Sequence, residues 1–215
     1  MREFNESKIL EKIPVKNIFP SRSLGFDFLD IEIGAGTGMF ARSYVNQNTD
    51  RYLISIEKTI NKFNKFKNAI GGKNILNLSA IHDNGVSFVT QHLKEDSVDR
   101  FFFLYPNPYP KSKDKNKRFH AMPFMKKAIS CLKNSGQIIF ATNEEFFKKE
   151  CIDYMTKTWK LRLCDYQEVV QTEDFIPWTL FEKKYVQRGE TCYRMSFSFS
   201  KENSTKKLAE ILDRA

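Results

Sequence analysis

Asp30-Ile-Glu-Ile-Gly-Ala-Gly-Thr-Gly38 is the stretch on which the fold turns. It closes an apolar run that begins at Phe26, and residues 39–48 follow it with a helical pattern. A strand passing straight into a glycine turn and then a helix is the opening βα unit of an α/β sheet. Glycines at alternate positions allow a tight turn and let backbone come close to a ligand at the helix N-terminus. The dinucleotide form of this turn requires glycine where Met39 stands, and the G-K-[ST] of a phosphate-binding loop is absent.

Outward from this unit the alternation continues. Residues 52–56 read as a buried strand ending at Glu57. Residues 58–70 are helical, with Ile60, Phe63, Phe66 and Ile70 at helical spacing and Gly71-Gly72 as a stop. A third strand is expected at 74–80 and a helix at 85–93. The fourth strand, 98–105, is nearly all apolar and so buried on both faces. A helix at 121–132, a strand at 136–142 and a helix at 144–157 follow. Residues 161–170 and 190–200 alternate with period two, joined by a loop over 171–189 that is too long for a hairpin turn. The pattern predicts a doubly wound, mostly parallel sheet with helices on both faces. An N-terminal arm is expected over 1–25, with one short helix near 7–12. A single domain spans 26–200, and a terminal helix or tail covers 201–215.

Composition narrows the partners. The 215 residues suit one elaborated domain, and 41% hydrophobic content with 20 Phe supplies a large core. Lys+Arg 35 against Asp+Glu 26 leaves a net charge of +9, which favours an anionic partner such as nucleic acid. Cys131, Cys151, Cys164 and Cys192 are widely spaced and share no ligand spacing with His82, His92 or His120. Reduced thiols and no metal are expected. No signal peptide and no membrane span is read, so a cytoplasmic protein is expected.

The fourth strand runs into Tyr105-Pro-Asn-Pro-Tyr-Pro-Lys111 and then a basic loop, Ser112-Lys-Asp-Lys-Asn-Lys-Arg118. Prolines fix φ and remove donors, so the strand ends there and presents Asn107 and Tyr109 at its C-terminal edge. Lys111, Lys113, Lys115, Lys117 and Arg118 suit phosphates, and Phe175, Trp178 and Phe181 suit a stacked base.

The glycine turn, with Glu57 after the second strand and Asp83 after the third, resembles the cofactor site of class I S-adenosylmethionine-dependent methyltransferases. The prolyl turn with its basic tail, Ala141-Thr-Asn-Glu-Glu145 and Thr179-Leu-Phe-Glu-Lys-Lys-Tyr185 resemble the tRNA (guanine-N7)-methyltransferase family. The resemblance implies a seven-stranded Rossmann-like sheet, S-adenosyl-L-methionine as cofactor and tRNA as partner. It places cofactor contacts at Glu32, Gly34, Gly36, Gly38, Glu57, Asp83, Asn84 and Asn107. It places guanine or RNA contacts at Lys111, Asn143, Thr179 and Glu182, and the catalytic position at Asn107.

This chain departs from the family pattern. Asn107 and Asn143 stand where the family has Asp, Asp114 where it has His, and Tyr109 where it has Trp. Guanine N7 carries a lone pair and no proton, so the reaction requires alignment and charge stabilisation rather than a base. Asn can hydrogen-bond but supplies no charge. Glu182 or Glu145 are candidate replacements. Asn107-Pro-Tyr109 also approaches the Asn-Pro-Pro-Tyr turn of enzymes that methylate exocyclic amines. A different nucleobase, a small heterocycle or a purely RNA-binding role stay open on this evidence.

Overall fold

The computed structural model describes residues 4–9 and 25–199. Its strands are β1 (Phe28–Ile33), β2 (Arg51–Glu57), β3 (Leu78–His82), β4 (Val98–Leu104), β5 (Leu132–Thr142), β6 (Leu161–Val169) and β7 (Cys192–Phe199). The α-helices are α1 (Met39–Gln47), α2 (Ile60–Ile70), α3 (Gly85–His92), α4 (Phe124–Cys131), α5 (Glu145–Asp153) and α6 (Leu180–Gln187). The strands form one seven-stranded sheet in the order β3-β2-β1-β4-β5-β7-β6. β1 to β5 are parallel, whereas β7 inserts antiparallel between β5 and β6.

The alternation of side chains on the central strands sorts the core into two layers. Ile31, Ile33, Phe101, Phe103, Ile138 and Phe140 face α3, α4 and α5. Leu53, Phe102, Leu104, Ile139 and Ala141 face α1 and α2, where Phe40, Val45 and Phe66 meet them. Phenylalanine carries much of this packing, with Phe103 stacked on Phe140 at 4.9 Å. Each ring fully removed from water contributes about 2–3 kcal/mol. A buried ion pair ties β1 to β2. Arg51 donates to both oxygens of Asp30, at 2.6 and 2.7 Å, and Tyr44 adds a third bond at 2.6 Å.

Several elements differ from expectation. β3 begins at Leu78, because the Asn77 carboxamide donates to the carbonyls of Val45, Asn48 and Arg51 and anchors the preceding segment. A 3-10 turn, Phe119–Ala121, takes the expected start of α4, and α5 ends at Asp153 in a π turn. The long stretch before β7, expected as loop, contains α6. Its apolar pattern is hidden because Leu180 and Phe181 are exposed while Glu182 is buried. In the arm, Glu6–Lys8 form a 3-10 turn capped by Asn5. Residues 1–3 and 10–24 of the arm and the 201–215 tail lie outside the described residues. Among those residues, no helix is long and apolar enough to cross a membrane.

Candidate active site

The C-terminal ends of β1 to β5 form one edge, and the turns leaving it carry the expected site residues. Gly34, Gly36 and Gly38 all adopt positive φ, at 88°, 60° and 76°. Two different constraints demand glycine here. A β-carbon on Gly36 would meet no atom within 4 Å, so the left-handed turn borders open space that a ligand can enter. A β-carbon on Gly38 would lie 2.0 Å from Cδ2 of the fully buried Phe66.

Glu57 holds this turn in shape. Its Oε2 accepts from the Gly36 N–H and its Oε1 from the Thr59 N–H, both at 2.7 Å. A carboxylate offers roughly four acceptor positions, so about two remain for paired hydroxyls. Glu32 lies at the end of β1, buried, with the Ser55 hydroxyl donating to its Oε2 at 2.6 Å. Burial pushes its pKa up to about 7; the Ser55 bond opposes this and the Glu57 charge adds to it. Beyond β3, Asp83 is buried and accepts from the Asn84 N–H at 2.6 Å. The Asn84 carboxamide caps α3 through the Val86 N–H. An open glycine cradle, a Glu57 carboxylate with acceptor positions to spare and a second acid at Asp83 fit a nucleoside cofactor.

The prolyl turn leaves β4 beside this cradle. Pro106, Pro108 and Pro110 have no N–H, so the turn cannot tie itself with a backbone ladder. Tyr105 and Tyr109 take left-handed φ values of 53° and 45°, a conformation that costs about 1–2 kcal/mol for a residue with a side chain. Between them, Asn107 is exposed, and its Oδ1 accepts from the Tyr109 N–H at 3.1 Å. That bond fixes the carboxamide orientation, leaving Nδ2 as the outward donor. Tyr105 is anchored by its hydroxyl, which donates to Glu182 at 3.0 Å; burial and the Glu182 charge hold this phenol protonated.

The C-terminal signature acts mainly as a scaffold. Thr179 caps α6 by accepting from the Glu182 N–H, and Glu182 is fully buried. Its carboxylate accepts from Tyr105, from the Trp178 N–H and twice from Arg194. Little acceptor capacity is left for a guanine edge. Glu145 is an exposed surface acid, held down to about 2 chiefly by hydrogen bonds from Lys148, Tyr193 and Lys149. The acid that does stand beside Asn143 is Glu190, which sequence reasoning missed. Asn143 Nδ2 donates to Glu190 Oε2 at 2.9 Å, and the two residues are 47 positions apart. No local spacing signals such a pair; only the β5–β7 pairing creates it.

The basic loop divides. Lys111 and Lys113 are exposed and have no acidic partner among the described residues. Lys117 pairs with Asp114 at 2.8 Å, and Lys115 lies 3.9 Å from Glu150. Arg118, expected on phosphates, is buried and points inward. The aromatic candidates divide too. Trp178 packs between Phe40 and Arg194, whereas Phe181 is 47% exposed and lies nearly parallel to Tyr105 and Tyr185. A separate cavity of about 510 Å³ opens on the α1 side of β4, β5 and β7, lined by Tyr44, Arg100, Gln137 and Trp178, away from the glycine turn.

Fold and site together define a class I methyltransferase. Residues 27–195 match the family model described as "Putative methyltransferase", and the chain belongs to that family. Among its relatives is a tRNA (guanine-N(7)-)-methyltransferase of Streptococcus thermophilus, 25% identical over 80% of each chain. The protein of that name from Staphylococcus carnosus is 27% identical, covering 79% of this chain and 80% of its own length. Among solved structures, the 16S rRNA methyltransferase KamB superposes with a TM-score of 0.58 at 11% identity, covering 82% of this chain and 90% of that one. A 30S ribosomal A1408 methyltransferase from an uncultured bacterium gives 0.57 at 12% identity, covering 93% and 96%. At these identities the structures speak for the fold alone.

Proposed function

We propose that this methyltransferase uses S-adenosyl-L-methionine to methylate N7 of a guanine in tRNA. The observation that carries the reading is convergence. The glycine cradle with Glu57 and the prolyl turn with Asn107 leave adjacent strands at the same sheet edge, and the lysines of the basic loop follow directly. The relatives' names support both the substrate and the atom.

The cofactor, when bound, supplies an electrophilic methyl on sulfonium. The chain's own residues then have to place N7 in line with it and exclude water. Glu32, Gly34, Gly36, Gly38, Glu57, Asp83 and Asn84 form the cofactor side, with Asn84 acting through the α3 cap. Asn107 borders both ligands. Its outward Nδ2 is a donor, and the guanine major-groove edge offers O6 beside N7. A bond from Nδ2 to O6 fixes the base without occupying N7, a task for which an amide has the donor and an ionised carboxylate does not. Phe181 provides a stacking face. Asn143 with Glu190 provides acceptors and charge near the purine. Lys111 and Lys113 meet the phosphates, and Thr179 and Glu182 hold the wall.

Transfer to an exocyclic amine requires the Asn107 oxygen to accept from the substrate. The Tyr109 N–H takes one of that oxygen's two lone pairs and turns the Nδ2 donor outward, which favours the N7 reading. The test is transfer of labelled methyl from S-adenosyl-L-methionine to tRNA lacking N7-methylguanosine, followed by nucleoside chromatography. Label in N7-methylguanosine is expected. Label in an N2- or N6-methylated nucleoside would overturn the assignment of the atom, and no label in any nucleoside would overturn tRNA as the substrate.

A further inference from the structure

Arg118 is the buried cation of an otherwise exposed basic loop, and every contact of its side chain is structural. Nε donates to the carbonyls of Pro108 and Tyr109 at 3.1 and 3.2 Å, and Nη2 donates again to Tyr109 O at 2.8 Å. Nη1 pairs with Glu150 Oε2. Glu150, on α5, also accepts from His120 Nε2 at 3.2 Å. Burial pushes the His120 pKa down to about 4, so the ring is neutral at pH 7, and among the described residues Glu150 carries the full charge paired with Arg118. Trp159 closes the base of the cluster by donating to His120 O at 2.8 Å.

From these contacts we infer that Arg118 and Glu150 are positioning residues. They set the prolyl turn in the conformation that presents Asn107. The turn's prolines leave it short of donors, and Tyr109 is held at a strained φ. The guanidinium supplies the missing donors to the two carbonyls that follow Asn107. Its planar fork bridges them to a fixed carboxylate on α5, a geometry that lysine cannot reproduce. Neither residue touches substrate. Both act on the reaction through the placement of Asn107, where a displacement of about 1 Å costs on the order of a hundredfold in rate.

This inference rests on the methyl-transfer reading for its rate arm and is independent of it for its structural arm. Arg118→Lys and Glu150→Gln are to be compared with the wild type in two measurements. Steady-state kinetics with tRNA should show kcat reduced tenfold or more in both variants, with KM for tRNA and the cofactor Kd changed less than threefold. Hydrogen exchange on peptides covering 104–112 should show faster exchange in both variants, with exchange in β1 and β2 unchanged. If Arg118 instead contacts phosphate, Arg118→Lys keeps its kcat and Glu150→Gln is silent; that outcome overturns the inference. Exchange rising across the whole sheet, with cofactor affinity lost, would mean general stability and also overturns it. A wild type inactive on tRNA whose variants still loosen only 104–112 would refute the proposed function while leaving the clamp standing.

Discussion

Replacing Glu32 by glutamine tests whether the buried acid at the end of β1 titrates near neutrality. Glu32 is 2% exposed, and desolvation raises its pKa from the carboxylate value of 4.5 to about 7. The folded protein therefore binds this proton more tightly than the unfolded chain does. Below pH 4.5 both states hold it and stability is unaffected. As pH rises through 7 the unfolded chain has long released it, and the folded state must carry a buried charge. The shift corresponds to roughly 3 kcal/mol of stability lost by pH 8. Glutamine keeps the size and the acceptor for Ser55 but cannot ionise. Urea denaturation at pH 5 and pH 8 should therefore show the wild type falling relative to Glu32→Gln by about 2–3 kcal/mol between the two. A cationic ligand should reverse the penalty. Wild-type affinity for S-adenosyl-L-methionine should tighten up to about tenfold from pH 6 to 8, as the ionised fraction rises from about a tenth to about nine tenths. Calorimetry at pH 7 should detect proton release to buffer, and the glutamine variant should show neither effect. Parallel stability curves for wild type and variant would refute the reasoning.

Arg51→Met strands Asp30 at zero exposure with only the Tyr44 hydroxyl and should cost about 3–5 kcal/mol. The melting temperature should drop by roughly 10 °C, read by calorimetry. Gly38→Ala forces a β-carbon against Phe66 in a left-handed turn, and the two effects together should destabilise by about 2–5 kcal/mol in urea. Asn143→Asp places like charges at the 2.9 Å contact with Glu190, and Glu190→Gln removes the local acid. Each alone should lower kcat/KM about tenfold or more. The double variant Asn143→Asp/Glu190→Gln, which restores one amide and one carboxylate, should recover most of the activity. Additive losses in the kinetics would show that the pair does not work as a unit.

Local chemistry made most of the sheet legible. The β1 glycine turn, the all-apolar β4 and the prolines after it each impose their structure within a few residues. The α/β alternation then allowed few sheet arrangements. What escaped reading depends on contacts distant in sequence. Asn77 ends the segment before β3 by reaching three carbonyls, one in α1, one just after it and one at the start of β2. α6 escaped because it buries Glu182 and exposes Phe181, the reverse of an amphipathic pattern. The same reversal recasts Glu182, for which the family resemblance implied base recognition but whose carboxylate is engaged by Tyr105, Trp178 and Arg194. Arg118 looked like the last cation of a phosphate-binding run, and only α5 supplies the Glu150 that draws it inward.

The methylated atom is the central claim. N7-alkylated guanosine is quaternised in its imidazole ring, so borohydride reduction followed by aniline cleaves the strand at that nucleotide and not at N1- or N2-methylated guanines. Treating unmodified tRNA transcripts with the protein and S-adenosyl-L-methionine should produce one aniline-dependent scission at a guanine. The scission should be lost when the cofactor is omitted or Glu57 is changed to Ala. Methyl incorporation without scission would contradict the account, because the methyl would then lie on an atom other than N7.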